Sequence, residues 1–559
     1  MNLIKSKKYL FISIIIIASL FLFNFDNDEY YSDLSKNYDL FTNVLKEVNV
    51  NYVEEVKLND LVKNGINGML KDLDPYTVFV EEDDKESIDV ISSGRYTGFG
   101  ISVNNINNYL YITDIVKDMP AYKSGMLIGD ILFSIDGDTV QYLNGSELRK
   151  YSKGEVGTEA NIIVLRQNNS NFDTLNLIIN RDYVKVQNVT QTLLLNDSIG
   201  YLELLRFNKD AKEEFKNSLL ELKSKNVKNI MIDLRNNPGG LLDAAIGICE
   251  NFLPIGSEIV STKGKTKRSI VSYKSQNQPI ISDIKLAILI NQNSASASEI
   301  VAGAIQDYDR GILVGTKSFG KGLVQSIFNL PFNNTLKITT ARYYTPSGRC
   351  IQKIDYNLKD KQSKSDLLKT DLLKTDTYKT KNGRIVKEFV GINPDVVIEE
   401  EKYSQIVKDI YNNNLVFLYV NTLSIHKTQN ESMKYDFDNK KQWDTILINF
   451  RNYLVKQKFI LKTSELELLK NLEKELKKNN YSENLTSELT IIEALINKEY
   501  FNNYEKNKLE IKRLLFDEII SRIDKNENYK VTQKLMDKYV IESINNFENK
   551  KYNSILNIH

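Results

Sequence analysis

Beyond Asp197 the chain alternates strand and helix patterns, and this alternation limits the fold more than any other feature. Strand patterns run from Ile199 to Leu205, Asn229 to Leu234, Lys285 to Ile290 and Ile312 to Val314. Between them lie helical patterns from Ala211 to Lys223, Leu241 to Phe252 and Ser296 to Gln306. This order predicts an α/β core whose strand ends open into loops suited to chemistry. With 559 residues, 42% of them hydrophobic, the chain can build several domains with cores of their own.

The flanks read differently. Between about Ser93 and Arg181 short strands alternate with glycine turns, and one helix runs from Ser146 to Tyr151, which predicts a compact β-rich module. The order Tyr96-Thr97-Gly98-Phe99-Gly100-Ile101, Met119-Pro120-Ala121 and Ser124-Gly125-Met126-Leu127-Ile128-Gly129-Asp130 resembles a PDZ domain. The resemblance implies that Thr97, Gly98, Phe99, Gly100 and Ile101 receive a peptide's C-terminal carboxylate on backbone N–H groups while the peptide adds as a strand. As a dinucleotide fingerprint, Gly98-x-Gly100 lacks its third glycine and precedes a strand, so that reading is discarded.

Residues 28–92 carry helical spacing in Leu40, Phe41, Val44, Leu45 and Val48, and again in Leu61, Val62, Ile66, Met69 and Leu70. The acidic run Glu81 to Asp84 lacks the glycine and distal glutamate of a calcium loop and reads as a solvated turn. Residues 353–381 are polar, with a near repeat of Asp-Leu-Leu-Lys-Thr, and read as a solvated insertion. Residues 401–559 are helical in pattern; Ser464 and Glu467 form a capping box ahead of Leu466, Leu469, Leu472 and Leu476. That region is expected to be a scaffold or a route to a homo-oligomer.

At the N-terminus Lys5, Lys7 and Lys8 precede an apolar run from Tyr9 to Phe25, the layout of an export signal or an uncleaved membrane anchor in residues 1–25. The rest of the chain is then expected outside the cytoplasm, in the periplasm or cell envelope, with an inner-membrane anchor if the segment stays. Lys and Arg total 74 against 73 Asp and Glu, so there is no global attraction to nucleic acid. With only Cys249 and Cys350, no disulfide scaffold or cysteine-rich metal site is available, and Cys249 is expected to pack in a core.

The chemistry centres on Asn291-Gln292-Asn293-Ser294-Ala295-Ser296-Ala297-Ser298-Glu299, followed 25 residues after Ser296 by Lys321. A serine hydroxyl needs a neighbouring base; the only histidines, His426 and His559, lie in a lysine- and glutamate-rich C-terminal region and at the last residue, so a Ser-His-Asp site is not expected and a serine–lysine pair remains open. A serine here would open a helix, where unpaired N–H groups favour developing negative charge. Spacing does not choose among Ser294, Ser296 and Ser298. The loop Asp233-Leu234-Arg235-Asn236-Asn237-Pro238-Gly239-Gly240 leaves a strand, and its glycines can present N–H groups to an oxyanion. Gly315 to Lys321 fits the start of a P-loop, but Gly322 stands where a hydroxyl must hold Mg²⁺ and a strand pattern follows where a helix should begin. As a base, Lys321 must drop from a pKa of about 10.4 to near neutrality, which burial against Phe319 and Leu323 would favour.

In this order the pieces resemble the C-terminal processing, or tail-specific, serine peptidases. The match runs from about Asp74 to Asp395 and includes Asp74-Pro75-Tyr76-Thr77, the PDZ-like segment, Asp233 to Gly240, Ser294 to Glu299, Phe319 to Gln325 and Thr340 to Gly348. The resemblance implies Ser296 as nucleophile, Lys321 as general base and Gln325 as the residue that orients the lysine. It further implies oxyanion donors from the Ala297 amide and an amide of Gly239 or Gly240. The expectation is a multidomain α/β protein: a helical segment at 28–92, a PDZ-like domain at 93–182, a mixed α/β peptidase core at 183–400 and an all-helical domain at 401–559. It would be an exported serine endopeptidase that needs no metal or cofactor and acts on proteins or peptides with exposed apolar C-termini. The rivals are a catalytically dead PDZ scaffold and a nucleotide-binding protein.

Overall fold

The computed structural model describes residues 25–82, 90, 93–168, 171–354, 356, 376–388, 391–399, 403–423, 435–457, 464–479, 481, 483–522, 527–548 and 551–558. The apolar run up to residue 24, most of the polar insertion and both histidines lie outside them. Among the described residues no helix is long and apolar enough to cross a membrane. The chain divides into two compact units, one within residues 1–84, 325–339 and 355–369, the other within 85–324, 340–354 and 370–559.

In the first unit the helical spacing becomes two helices, Phe25–Asn51 and Leu58–Lys71. Leu40, Phe41, Val44 and Val48 stay exposed on the longer one. The Asp74 carboxylate shapes the turn that follows: Oδ1 accepts the Tyr76 and Thr77 amides at 2.8 and 3.0 Å, and Oδ2 accepts the Thr77 hydroxyl at 2.9 Å. This fixes the entry to strand Val78–Val80, which pairs antiparallel with Thr335, Leu336 and Lys337.

In the second unit the β-rich module is a sheet in the order Ile101–Ile106, Tyr109–Ile115, Ile131–Ile135, Glu159–Asn168 and Asn171–Asn180. Phe99, Leu110, Ile112, Leu132, Ile162 and Val164 form its core under the Gly145–Ser152 helix. The last strand goes beyond those read from the sequence: it lies at the sheet's edge with most side chains exposed, which weakens its hydrophobic signal.

The α/β core is a six-stranded sheet, Val189–Asn196, Ile199–Leu204, Asn229–Asp233, Lys285–Ile290, Ile312–Gly315 and Val396–Val397, in spatial order. All neighbours pair parallel except the first two. Because successive side chains face opposite ways, the continuous apolar runs in the central strands, such as Ile230 to Ile232 and Leu286 to Ile290, leave both faces of the sheet in need of cover. Ile230, Ile232, Leu286 and Ile288 pack against Phe215, Leu219, Ile248, Val301 and Ile305 of the intervening helices. Met231, Ala287, Leu289 and Val314 pack against Val540, Phe547, Tyr552 and Leu556. The helices Lys538–Glu548 and Lys551–Ile555 thus cover the second face of the core sheet, within a region whose pattern suggested a scaffold or a route to a homo-oligomer. Other C-terminal helices have their own core around Trp443, Phe450, Tyr504 and Phe516. Phe417 from this region meets Tyr111 of the β-rich module edge to face, with ring centroids 5.7 Å apart.

Candidate active site

Ser296 ends the turn after strand Lys285–Ile290 and precedes the Ala297–Asp307 helix. Its backbone sits at φ 56° and ψ −113°, a conformation a non-glycine residue adopts at a cost of order 1–3 kcal/mol and keeps only where its surroundings enforce it. The three serines of the run part company here. Ser294 and Ser298 are fully buried, and their hydroxyls donate to the carbonyls of Leu234 and Asn237 at 2.8 and 3.0 Å. Ser296 is only half-buried.

The enforcing group is Glu299, which the sequence reading did not single out. Fully buried, its Oε2 accepts the amides of Ser296 and Lys321, both at 2.9 Å, and its Oε1 accepts the Ser318 hydroxyl at 2.5 Å and the Gly320 amide at 2.7 Å. While its O–H donates to Glu299, the Ser318 oxygen accepts the Ile392 amide at 2.7 Å. Burial pushes the Glu299 carboxyl above its ordinary range, and these four donors work against that shift. The available signal was the spacing Ser296-x-x-Glu299, a capping-box pattern.

The glycine loop after Asp233 lies directly against the serine turn. Asn237 O accepts the Ala295 amide at 3.0 Å, and Asn236 N donates to Asn291 Oδ1 at 3.0 Å. A Cβ on Gly239, whose φ is +97°, would sit 2.7 Å from Ala295 O and 2.9 Å from both Ala297 N and Ser296 Cβ, so only glycine fits. The Gly239 amide donates to Asn237 Oδ1 at 2.9 Å. Gly240, at φ +153°, packs on Phe207 O, and Ala297, as first residue of its helix, has an amide with no intrahelical acceptor.

Lys321 is half-buried, and its carbonyl accepts from the Tyr343 hydroxyl. Strand Leu323–Asn329 follows it, and the Gly322 amide donates to Gln352 Oε1 at 2.7 Å. No helix N-terminus follows the lysine, so the phosphate-cradling geometry of a P-loop is missing here. Gln325 belongs to the first unit, where its Nε2 donates to Thr339 Oγ1 at 3.4 Å; the Thr339 amide donates to Thr77 Oγ1 at 3.1 Å. Among the described residues no cluster of three or more His, Cys, Asp or Glu could hold a metal. Cys249 packs in the core, as the sequence suggested.

In the β-rich module Thr97, Gly98, Phe99, Gly100 and Ile101 line a cavity of about 330 Å³. Leu148 lines it as well, with Arg149 and Arg206 as its cations. Arg95–Gly98 pairs with Asp182–Lys185, and Phe99 O accepts the Ala121 amide at 2.9 Å.

A mixed α/β core carries Ser296 at a strained helix entry and follows a β-rich module in the chain, and comparison with known proteins gives the class of protein that has this arrangement. Residues 198–359 match the model of peptidase family S41, residues 97–179 that of the PDZ domain, and residues 406–547 that of the probable PDZ-protease C-terminal helical domain. A carboxy-terminal-processing protease of Bartonella bacilliformis is 36% identical over 351 residues, 62% of this chain and 78% of that one. A probable CtpA-like serine protease of Staphylococcus epidermidis is 30% identical over 343 residues, covering 61% and 68%. Among solved structures, a photosystem II D1 C-terminal processing protease is similar at 24% identity and a TM-score of 0.36, over 64% of this chain and 86% of that one. The chain belongs to the carboxy-terminal-processing proteases of peptidase family S41, and it is a serine-type peptidase with a PDZ domain.

Proposed function

We propose that this is an exported endopeptidase that captures C-terminal tails in the PDZ groove and cleaves with Ser296 and Lys321. The observation that carries this reading is the shared Glu299 carboxylate, which registers the serine turn and the lysine loop against one another. In the reaction Ser296 Oγ attacks the scissile carbonyl while its proton passes to neutral Lys321 Nζ, which then gives it to the leaving amine. The Ala297 amide and an amide of the Gly239–Gly240 pair would meet the oxyanion, and Gln325 would orient the lysine. Water then hydrolyses the acyl-enzyme, with Lys321 again accepting the proton. Export rests on the basic-then-apolar start of the chain, and the same segment, if retained, would anchor it to the membrane.

Purified protein lacking residues 1–25 should cleave an unfolded substrate with an apolar tail, and Ser296→Ala should not. Tail binding without cleavage by the unmutated protein would favour a PDZ scaffold instead.

A further inference from the structure

The glycine loop is held from two sides. On one side Leu234 O and Asn237 O accept from Ser294, Ala295 and Ser298, the residues that bracket Ser296. On the other side stands Arg235. Its Nε donates to Asp233 Oδ1 and Oδ2 at 2.9 and 3.0 Å, and its Nη2 reaches Asp233 Oδ2 at 2.6 Å and Asp537 Oδ2 at 2.7 Å. The guanidinium lies 4.5 Å from the centre of the Tyr539 ring. Asp537 and Tyr539 belong to the C-terminal helical region, where Asp537 Oδ1 also accepts the Tyr539 amide at 2.8 Å at the start of the Lys538–Glu548 helix.

A second pair of opposite polarity sits beside it. Lys534 Nζ meets Glu203 Oε1 at 2.9 Å and lies over the Tyr201 ring, whose hydroxyl donates to Asp233 Oδ2 at 2.6 Å. One cation and one anion of the helical region therefore meet one anion and one cation at the carboxyl ends of neighbouring parallel strands, the edge where sites form in such sheets. The Arg235 and Asp537 side chains are only 15% and 23% exposed, so their attraction is less screened than that of a surface pair.

We propose that Asp537 is a positioning residue: by holding Arg235 it fixes residues 234–240, so that the seating of the C-terminal helical region sets the oxyanion loop and the rate of acylation. This rests on the Ser296 reading above. Asp537→Asn keeps an acceptor for the Tyr539 amide and removes the charge opposite Arg235. It should lower kcat about tenfold with KM and tail-peptide affinity unchanged, as expected for an interaction used in the transition state. Amide hydrogen exchange should quicken in residues 234–240 and 291–298, and Asp537→Glu should recover much of the loss. A lowered Tm with unchanged kcat, or unchanged exchange in those two segments, would overturn the proposal. The exchange measurement does not need catalysis, so an unmutated protein that fails to cleave would count against the peptidase reading alone.

Discussion

The amides of Ser296 and Lys321 donate to one atom, Oε2 of Glu299, each at 2.9 Å. Two segments 25 residues apart are thereby held in register by a carboxylate whose other oxygen is also fully used. With two donors on each oxygen, an amide in its place must turn an NH₂ toward N–H or O–H groups. Leaving buried donors unmet costs about 1–3 kcal/mol. Glu299→Gln should therefore lower kcat/KM by roughly 100-fold while tail binding in the PDZ groove persists. Steady-state kinetics beside peptide titration checks this, and activity within about threefold of normal would remove Glu299 from the positioning role.

The proposed nucleophile and base act as a unit. Ser296→Ala, Lys321→Ala and the double variant should lose similar amounts of kcat, rather than additive amounts. Lys321→Arg should be equally inactive, because a guanidinium stays protonated. Measurable turnover by Lys321→Arg would sink the general-base assignment.

Gly239 tests how close the glycine loop must come to the serine. An added methyl meets Ala295 O at 2.7 Å on a backbone at φ +97°. Gly239→Ala should cost about 1–3 kcal/mol of stability through strain and reduce kcat more than KM. Thermal melting and kinetics on the same preparation check both effects.

Asp233 supplies a pH test. Burial alone would raise its carboxyl, but Arg235, with Lys534 and the Tyr201 hydroxyl, reverses this and holds it below its ordinary 3.8. A depressed folded value means that folding favours the ionised form, so the contribution is complete above pH 3.8 and fades as pH falls through the folded value. The Tm gap between the unmutated protein and Asp233→Asn should accordingly be widest near neutrality and narrow below that pH. A gap that widens on acidification would reverse the assignment.

For the PDZ groove, one substrate with a free and with an amidated C-terminus separates tail recognition from catalysis. The carboxylate meets backbone N–H groups in the proposed loop, so amidation should weaken binding and slow cleavage at low substrate concentration. Equal affinity and rate for the two would remove tail recognition and leave the peptidase standing.

Much of this protein is written in local pattern. The strand–helix alternation from Ile199 to Val314, the glycine-broken strands before it and the order of short motifs were legible because period-2 and period-3.6 spacing and turn glycines act over a few residues. The choice among Ser294, Ser296 and Ser298 was not legible from spacing. What separates them in the structure, the burial of Ser294 and Ser298, depends on their hydroxyls reaching the carbonyls of Leu234 and Asn237, some sixty positions away, which only the folded sheet brings close. Glu299 lay in plain view, yet its role appears only when Ser318, Gly320 and Lys321 fold back onto it. The C-terminal helices read as a scaffold or a route to a homo-oligomer because nothing in their own spacing says that Phe547 and Tyr552 cover Met231, Leu289 and Val314, more than 200 residues earlier. Sequence periodicity determined which residues are apolar on which face; tertiary packing decided what covers each face, because burial and buried hydrogen bonds are satisfied by partners distant in the chain.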